Sequence, residues 1–207
     1  MGRGPQARLP DAAHTERPWR IHELTADFRL EDVWALPTPG ASLEDFPEFV
    51  QRVAAGDPSQ SPSRVARALW AIRWKLGELL RWDSHDAGLG SRVPTLRERL
   101  PADLRKGASG PRFDNIPFTS LYQTEDEWAA EIANRTVHGV LHLGWVPDGD
   151  GGYRGQMAVL VKPNGLLGDA YLAAIKPFRY LIVYPGMLGQ IERDWQAEMT
   201  LRQAGRQ

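Results

Sequence analysis

The sequence predicts an α+β fold, an antiparallel sheet followed by a long C-terminal helix, on three observations. Val137 to Val146 and Tyr153 to Lys162 alternate apolar and polar residues on either side of Pro147-Asp148-Gly149-Asp150-Gly151-Gly152, the pattern of a β-hairpin. Leu167, Tyr171, Ala174, Phe178, Leu181, Leu188 and Trp195 recur at helical spacing. Two further helical stripes lie in the N-terminal half, so helices and strands are segregated along the chain.

Taken in order, residues 1–18 mix Gly, Pro, Arg and Asp without an apolar run, and read as a disordered tail with no signal-peptide core. Residues 19–204 form one domain. Trp19 to Leu24 alternates as a half-buried strand would. Ser42 precedes Leu43, Phe46, Phe49, Val50 and Val53 on one helical face, and Ser42 with Asp45 forms a capping box, with Pro47 confined to the first turn. Ser61-Pro62 opens a second helix running to about Trp82, in which Val65, Leu69, Ile72, Leu76 and Leu79 keep one stripe and Trp70 and Trp74 stack a turn apart as core.

Asp83 to Asn115 is rich in Gly, Pro and charge, either a lid or an irregular cover on the core, with a short helical segment from Thr95 to Leu100. Thr124 to Asn134 sets two signals against each other. Thr124 with Glu127 and the alanines favour helix, whereas as a strand Trp128, Ala130 and Ile132 share a face. Pro177 and Pro185 each forfeit a helical hydrogen bond, so the C-terminal helix must bend there or break at Pro185-Gly186.

Composition narrows the function classes. With 25 basic and 26 acidic side chains the net charge is -1, which gives no long-range field for nucleic acid. Zero cysteines exclude disulfides, thiol nucleophiles and Cys-ligated zinc, and suit the cytoplasm. No stretch is apolar enough to span a membrane, so no membrane partner is expected. Neither a glycine-rich phosphate loop, a nucleophile elbow nor a His-Glu-x-x-His helix is present, and no cofactor is expected.

The blocks EWAAEIANRTVHGVLHLGW (Glu127 to Trp145) and YLAAIKPFRYLIVYPGMLGQIERDW (Tyr171 to Trp195) resemble an uncharacterised bacterial family of START-like (SRPBCC, helix-grip) domains. Its members are similar to single-domain proteins and to modules fused behind short-chain-dehydrogenase-like domains. The resemblance favours the strand reading of 124–134. It implies a curved antiparallel sheet wrapped around the long C-terminal helix and a cavity between them, and it carries over no catalytic residue.

On that architecture the sheet faces can be compared. Leu141, Leu143 and Trp145 share one face of the first hairpin strand, opposite His138, Val140 and His142. The apolar face points inward, and Trp128, Leu141, Trp145, Tyr153, Met157, Tyr171 and Phe178 are the expected ligand-lining residues, while the histidines point outward. His138 and His142 stand about 13 Å apart at strand rise, too far to share one metal. Were that face to line a site, His138 or His142 could act as a general base, and in an enzymatic reading Tyr153 on the inward face is a further candidate for moving protons. Glu131 could partner a neighbouring-strand histidine, though a solvent-facing carboxylate is the simpler reading. Asp83, His85 and Asp86 lack a fourth ligand by spacing, so no metal is expected.

Three functions fit. The leading one is binding of a small, largely apolar metabolite between the sheet and the C-terminal helix. The others are a cyclase or isomerase acting on a hydrophobic, polyketide-like substrate, and a protein-interaction module of an oxidoreductase system.

Overall fold

A computed structural model describes residues 8–56, 89, 93–134, 136–149 and 151–205. The helix expected from 62 to 82, with Trp70 and Trp74, and the Asp83, His85, Asp86 cluster lie outside the described residues.

The described chain already carries structure from Arg8, ahead of the expected start at Trp19. The Leu9 amide donates to Val33 O, and α1 (Ala12–Thr15) and α2 (Ile21–Leu24) follow. Residues 8–18 are therefore not a tail, and 19–24 is not a strand. The apolar residues Ile21 and Leu24, three apart, are both buried from a single helical turn. The first strand, β1 (Arg29–Ala35), was not legible from alternation because a bulge between Leu30 and Asp32 interrupts it.

A 3₁₀ turn (Leu43–Asp45) leads into α3 (Phe46–Ala55), with the expected capping box made by Ser42 and Asp45 and Pro47 in the first turn. A second 3₁₀ turn (Leu96–Arg99), capped by the Thr95 hydroxyl, and α4 (Ala102–Lys106) follow. Four strands come next, β2 (Thr119–Gln123), β3 (Glu127–Ala133), β4 (Val137–Pro147) and β5 (Tyr153–Pro163). The chain closes with α5 (Leu166–Phe178), a π-helical turn (Arg179–Val183) and α6 (Tyr184–Ala204).

The five strands form one antiparallel sheet in the order β1-β5-β4-β3-β2. Residues 124–134 thus settle as strand. Thr124 does accept the Glu127 amide, as a capping residue would, but the bond closes the turn between β2 and β3. The side chain of Glu127 is committed elsewhere, and pairing on both edges of β3 overrides the alanines' helical preference.

Both faces of the sheet are buried. On one, Trp34, Trp128, Ala130, Leu143, Trp145 and Met157 pack beneath Phe46 and Phe49 of α3 and Tyr184, Leu188 and Trp195 of α6. Three buried indoles there also donate hydrogen bonds, Trp128 to Ser120 Oγ, Trp145 to Ser42 O and Trp195 to Pro39 O. On the other, Ala129, Val140, Val146, Ala158 and Leu160 are roofed by Trp19, Ile21 and Leu24 and by Leu96, Leu100 and Leu104. Residues 93–106 are thus a cover on the core.

Candidate functional site

A groove of about 530 Å³ opens at the end of the sheet where β4 runs out and β5 begins. Its walls are the 17–20 segment, the Thr124–Glu127 turn, Leu43, Trp145, Pro147 and Tyr153. Local bonding fixes these parts. The Tyr153 amide donates to Ala41 O at 2.8 Å and the Trp145 amide to Asp126 O at 2.7 Å, so the loop before α3 and the β2–β3 turn are both tied to the hairpin.

Behind the groove runs a chain of buried polar groups. His22 Nε2 lies 3.2 Å from His14 Nδ1, His14 Nε2 lies 3.2 Å from His142 Nδ1, and His142 Nε2 lies 2.9 Å from Glu127 Oε2. The Tyr122 hydroxyl donates to the same carboxylate at 3.1 Å, and the Arg20 amide donates to Glu127 Oε1 at 2.8 Å. With neutral imidazoles one tautomer series satisfies every bond. A carboxylate only accepts, so His142 carries its proton on Nε2, and its Nδ1 accepts from His14 Nε2, as His14 Nδ1 does from His22 Nε2.

Burial, reinforced by His142 and His22, lowers the His14 pKa to about 3, and burial beside His142 lowers His22 as well. Burial pushes the Glu127 carboxyl up, but the bonds from His142, Arg20 and Tyr122 outweigh it and hold it below its ordinary value. Burial next to Glu127 pushes the Tyr122 phenol up. The network therefore holds one buried carboxylate amid donors. A parallel arrangement stands further along the same face. His138 Nε2 is 2.8 Å from Glu131 Oε2, which also accepts from the Leu96 amide, while the Thr95 hydroxyl donates to Glu131 Oε1.

These positions correct the outward assignment of the histidine face. His138 and His142 are 3% and 1% exposed and Glu131 is fully buried, because α1, α2 and residues 93–106 form a second layer over them. Polar residues read as solvent-facing were instead polar residues paired with one another. A signal for this was present. Glu127 and Glu131 are four apart on β3, His138 and His142 are four apart on β4, and the register sets Glu131 opposite Val140 and Glu127 opposite Gly144, one step from each histidine.

The expected lining residues separate. Trp128, Trp145 and Met157 are buried in the core cluster and Leu141 packs against it, so among the described residues these side chains pack between the sheet and the C-terminal helix. Tyr171 is half-buried on α5, outside that cluster, and the side chain of Phe178 lies outside the described residues. Only Trp145 and Tyr153 reach the groove, and neither His138 nor His142 lines it. Sequence reasoning missed Arg17, Trp19, His14 and His22, which lay in or beside the presumed tail and acquire their places only by packing on the sheet.

Fold and site together define an α+β protein with a two-faced antiparallel sheet, a C-terminal helix carrying a π-helical turn and a groove at the hairpin end. Residues 24–186 match the model of the family described as protein of unknown function (DUF2867), and the chain belongs to that family. No curated protein and no solved structure matches it significantly. Among the described residues no helix is long and apolar enough to cross a membrane, and no group of three or more His, Asp or Glu is placed to hold a metal.

Proposed function

We propose that this protein binds a small, largely apolar molecule in the groove between the β4–β5 rim and the 17–20 segment. The observation that carries the reading is the groove itself. At about 530 Å³ it falls in the size range of small-molecule sites, and Pro18, Trp19, Leu43, Trp145, Pro147 and Tyr153 offer aromatic and apolar walls. Polar anchors stand beside them in Arg17, Thr124 and Asp126. The resemblance of the Glu127–Trp145 and Tyr171–Trp195 blocks to START-like, helix-grip domains supports a ligand-binding role for the fold, with the site moved from the sheet–helix interface to the hairpin end.

A thermal-shift panel of aromatic and aliphatic compounds tests this. A ligand at a hundredfold its Kd adds about 2.7 kcal/mol to stability, a readily measured shift. Leu43 is partly exposed at the groove wall. Leu43→Glu should therefore remove most of the shift while leaving the melting of the free protein nearly unchanged. Flat melting curves across the panel, or equal shifts in the Leu43→Glu protein, reject the groove as the site.

A further inference from the structure

Resting on that reading, we infer that Arg17, Arg154 and the indole N–H of Trp19 form an anion seat beside the groove, so that its ligand is an apolar body carrying a carboxylate or similar oxyanion head. Three observations converge on this point.

The first is position. Trp19 lies over Gly144, where an added Cβ would meet its ring carbons at 2.7 Å. Arg154 springs from β5 opposite Val146, two residues further along β4 on that same face. The guanidinium carbon of Arg17 stands 5.8 Å from the Trp19 ring centroid, and Arg17 and Trp19 both line the groove.

The second is unmet hydrogen bonding. Arg154 Nη1 and Trp19 Nε1 are buried and have no partner among the described residues, and Trp19 is only 6% exposed. A buried donor without an acceptor costs about 1–3 kcal/mol, so two of them at neighbouring positions on one sheet face mark a place where acceptor oxygens belong.

The third is charge. Arg20, Arg99, Arg179 and Arg202 each bind a carboxylate. Among the described residues neither Arg17 nor Arg154 does so, and burial together with the like charge of Arg17 lowers the Arg154 pKa. Two cations near each other in partly desolvated surroundings are relieved by an anion. Of the acids around the groove, Asp148 raises the Arg154 pKa and its Oδ1 accepts from the Gly152 amide, Asp126 accepts from Thr124, and Glu127 is saturated by Arg20, Tyr122 and His142; Glu125 stands on the groove wall, and among the described residues none of these carboxylates makes an ion pair with Arg17 or Arg154.

Fluorescence titration with two probes of like size separates the seat from the groove. The probes are 8-anilinonaphthalene-1-sulfonate, which carries an anionic head, and N-phenyl-1-naphthylamine, which does not. The wild-type protein should bind both, and Leu43→Glu should weaken both. Arg154→Met should weaken the sulfonate about tenfold and change the neutral probe less than twofold, and Arg17→Met, at a half-exposed position that spares the fold, should act in the same direction. If the ratio of the two affinities is the same in wild type and both variants, the anion seat is overturned and the groove stands. If wild type binds neither probe saturably, the groove reading and the seat both fall.

Discussion

A methyl group at position 144 would meet Trp19 Cη2 and Cζ2 at 2.7 Å, closer than real Cβ contacts come. Gly144 is thus the seat on which the Trp19 ring rests, and through it the 17–20 wall of the groove is brought down onto β4. Trp19 cannot retreat freely, since it also meets the His142 ring edge-on with centroids 5.2 Å apart. Gly144→Ala should cost about 1–3 kcal/mol by overpacking. Urea denaturation measures this, and a change below ~0.5 kcal/mol would show that Trp19 is not held as described. Sequence alternation placed position 144 on the histidine face, yet gave no hint that an aromatic ring from 125 residues away fills the space left by its missing side chain.

At the scale of elements, the junction of α5 and α6 is where the two prolines act. Pro177 falls inside α5 and Pro185 in the first turn of α6, and the chain between them adopts a π-helical turn, so the helix runs on through Pro185-Gly186, where a break was the alternative to a bend. What fixes it is one buried carboxylate. Tyr184 OH donates to Asp32 Oδ2 at 2.7 Å, and Arg179 and Tyr180 bond to the same carboxylate, joining the C-terminal helices to the edge strand β1. Burial, aided by Asp32, pushes the Tyr184 phenol up, so it remains a donor. Asp32→Ala would leave Arg179 without its closest partner and should destabilise the protein by about 3 kcal/mol or more. Hydrogen exchange should then rise first over residues 179–190. Uniform exchange with an unchanged unfolding midpoint would contradict the anchoring role. The prolines were legible in the sequence; their accommodation was not, because it depends on a bulged strand nearly 150 residues earlier.

For the whole molecule, the layer formed by residues 8–25 makes stability depend on pH. His14 has a folded pKa of about 3 against an ordinary 6.5, and His22 is lowered too, so between those values the unfolded chain takes up protons that the folded chain refuses. Stability is therefore full above pH 6.5 and falls as pH drops through 6.5 toward 3, by about 2 kcal/mol between pH 6.5 and 5 for His14 alone. Glu127, held below its ordinary carboxylate value, adds its loss only at lower pH, so the upper window isolates the histidines. Chemical denaturation at pH 7, 6 and 5 should show a marked decline in wild type and a shallower one in His14→Gln. Parallel slopes would mean that His14 is not buried neutral beneath this layer.

How much of this could be read in advance follows from the range of each interaction. The sequence by itself determined the α+β class, the β4–β5 hairpin, the capped helix α3 and the prolines of the C-terminal helix, because alternation, capping and turn chemistry are set by residues a few positions apart. It did not decide which face of the sheet would meet water. Only tertiary structure brought residues 8–25 and 93–106 over the histidine face, paired His138 and His142 each with a glutamate on β3, packed Trp128, Trp145 and Met157 against the C-terminal helix, and left the groove at the hairpin end. A polar side chain looks the same in sequence whether water or a distant partner satisfies it, and that choice rests on contacts the local pattern does not encode.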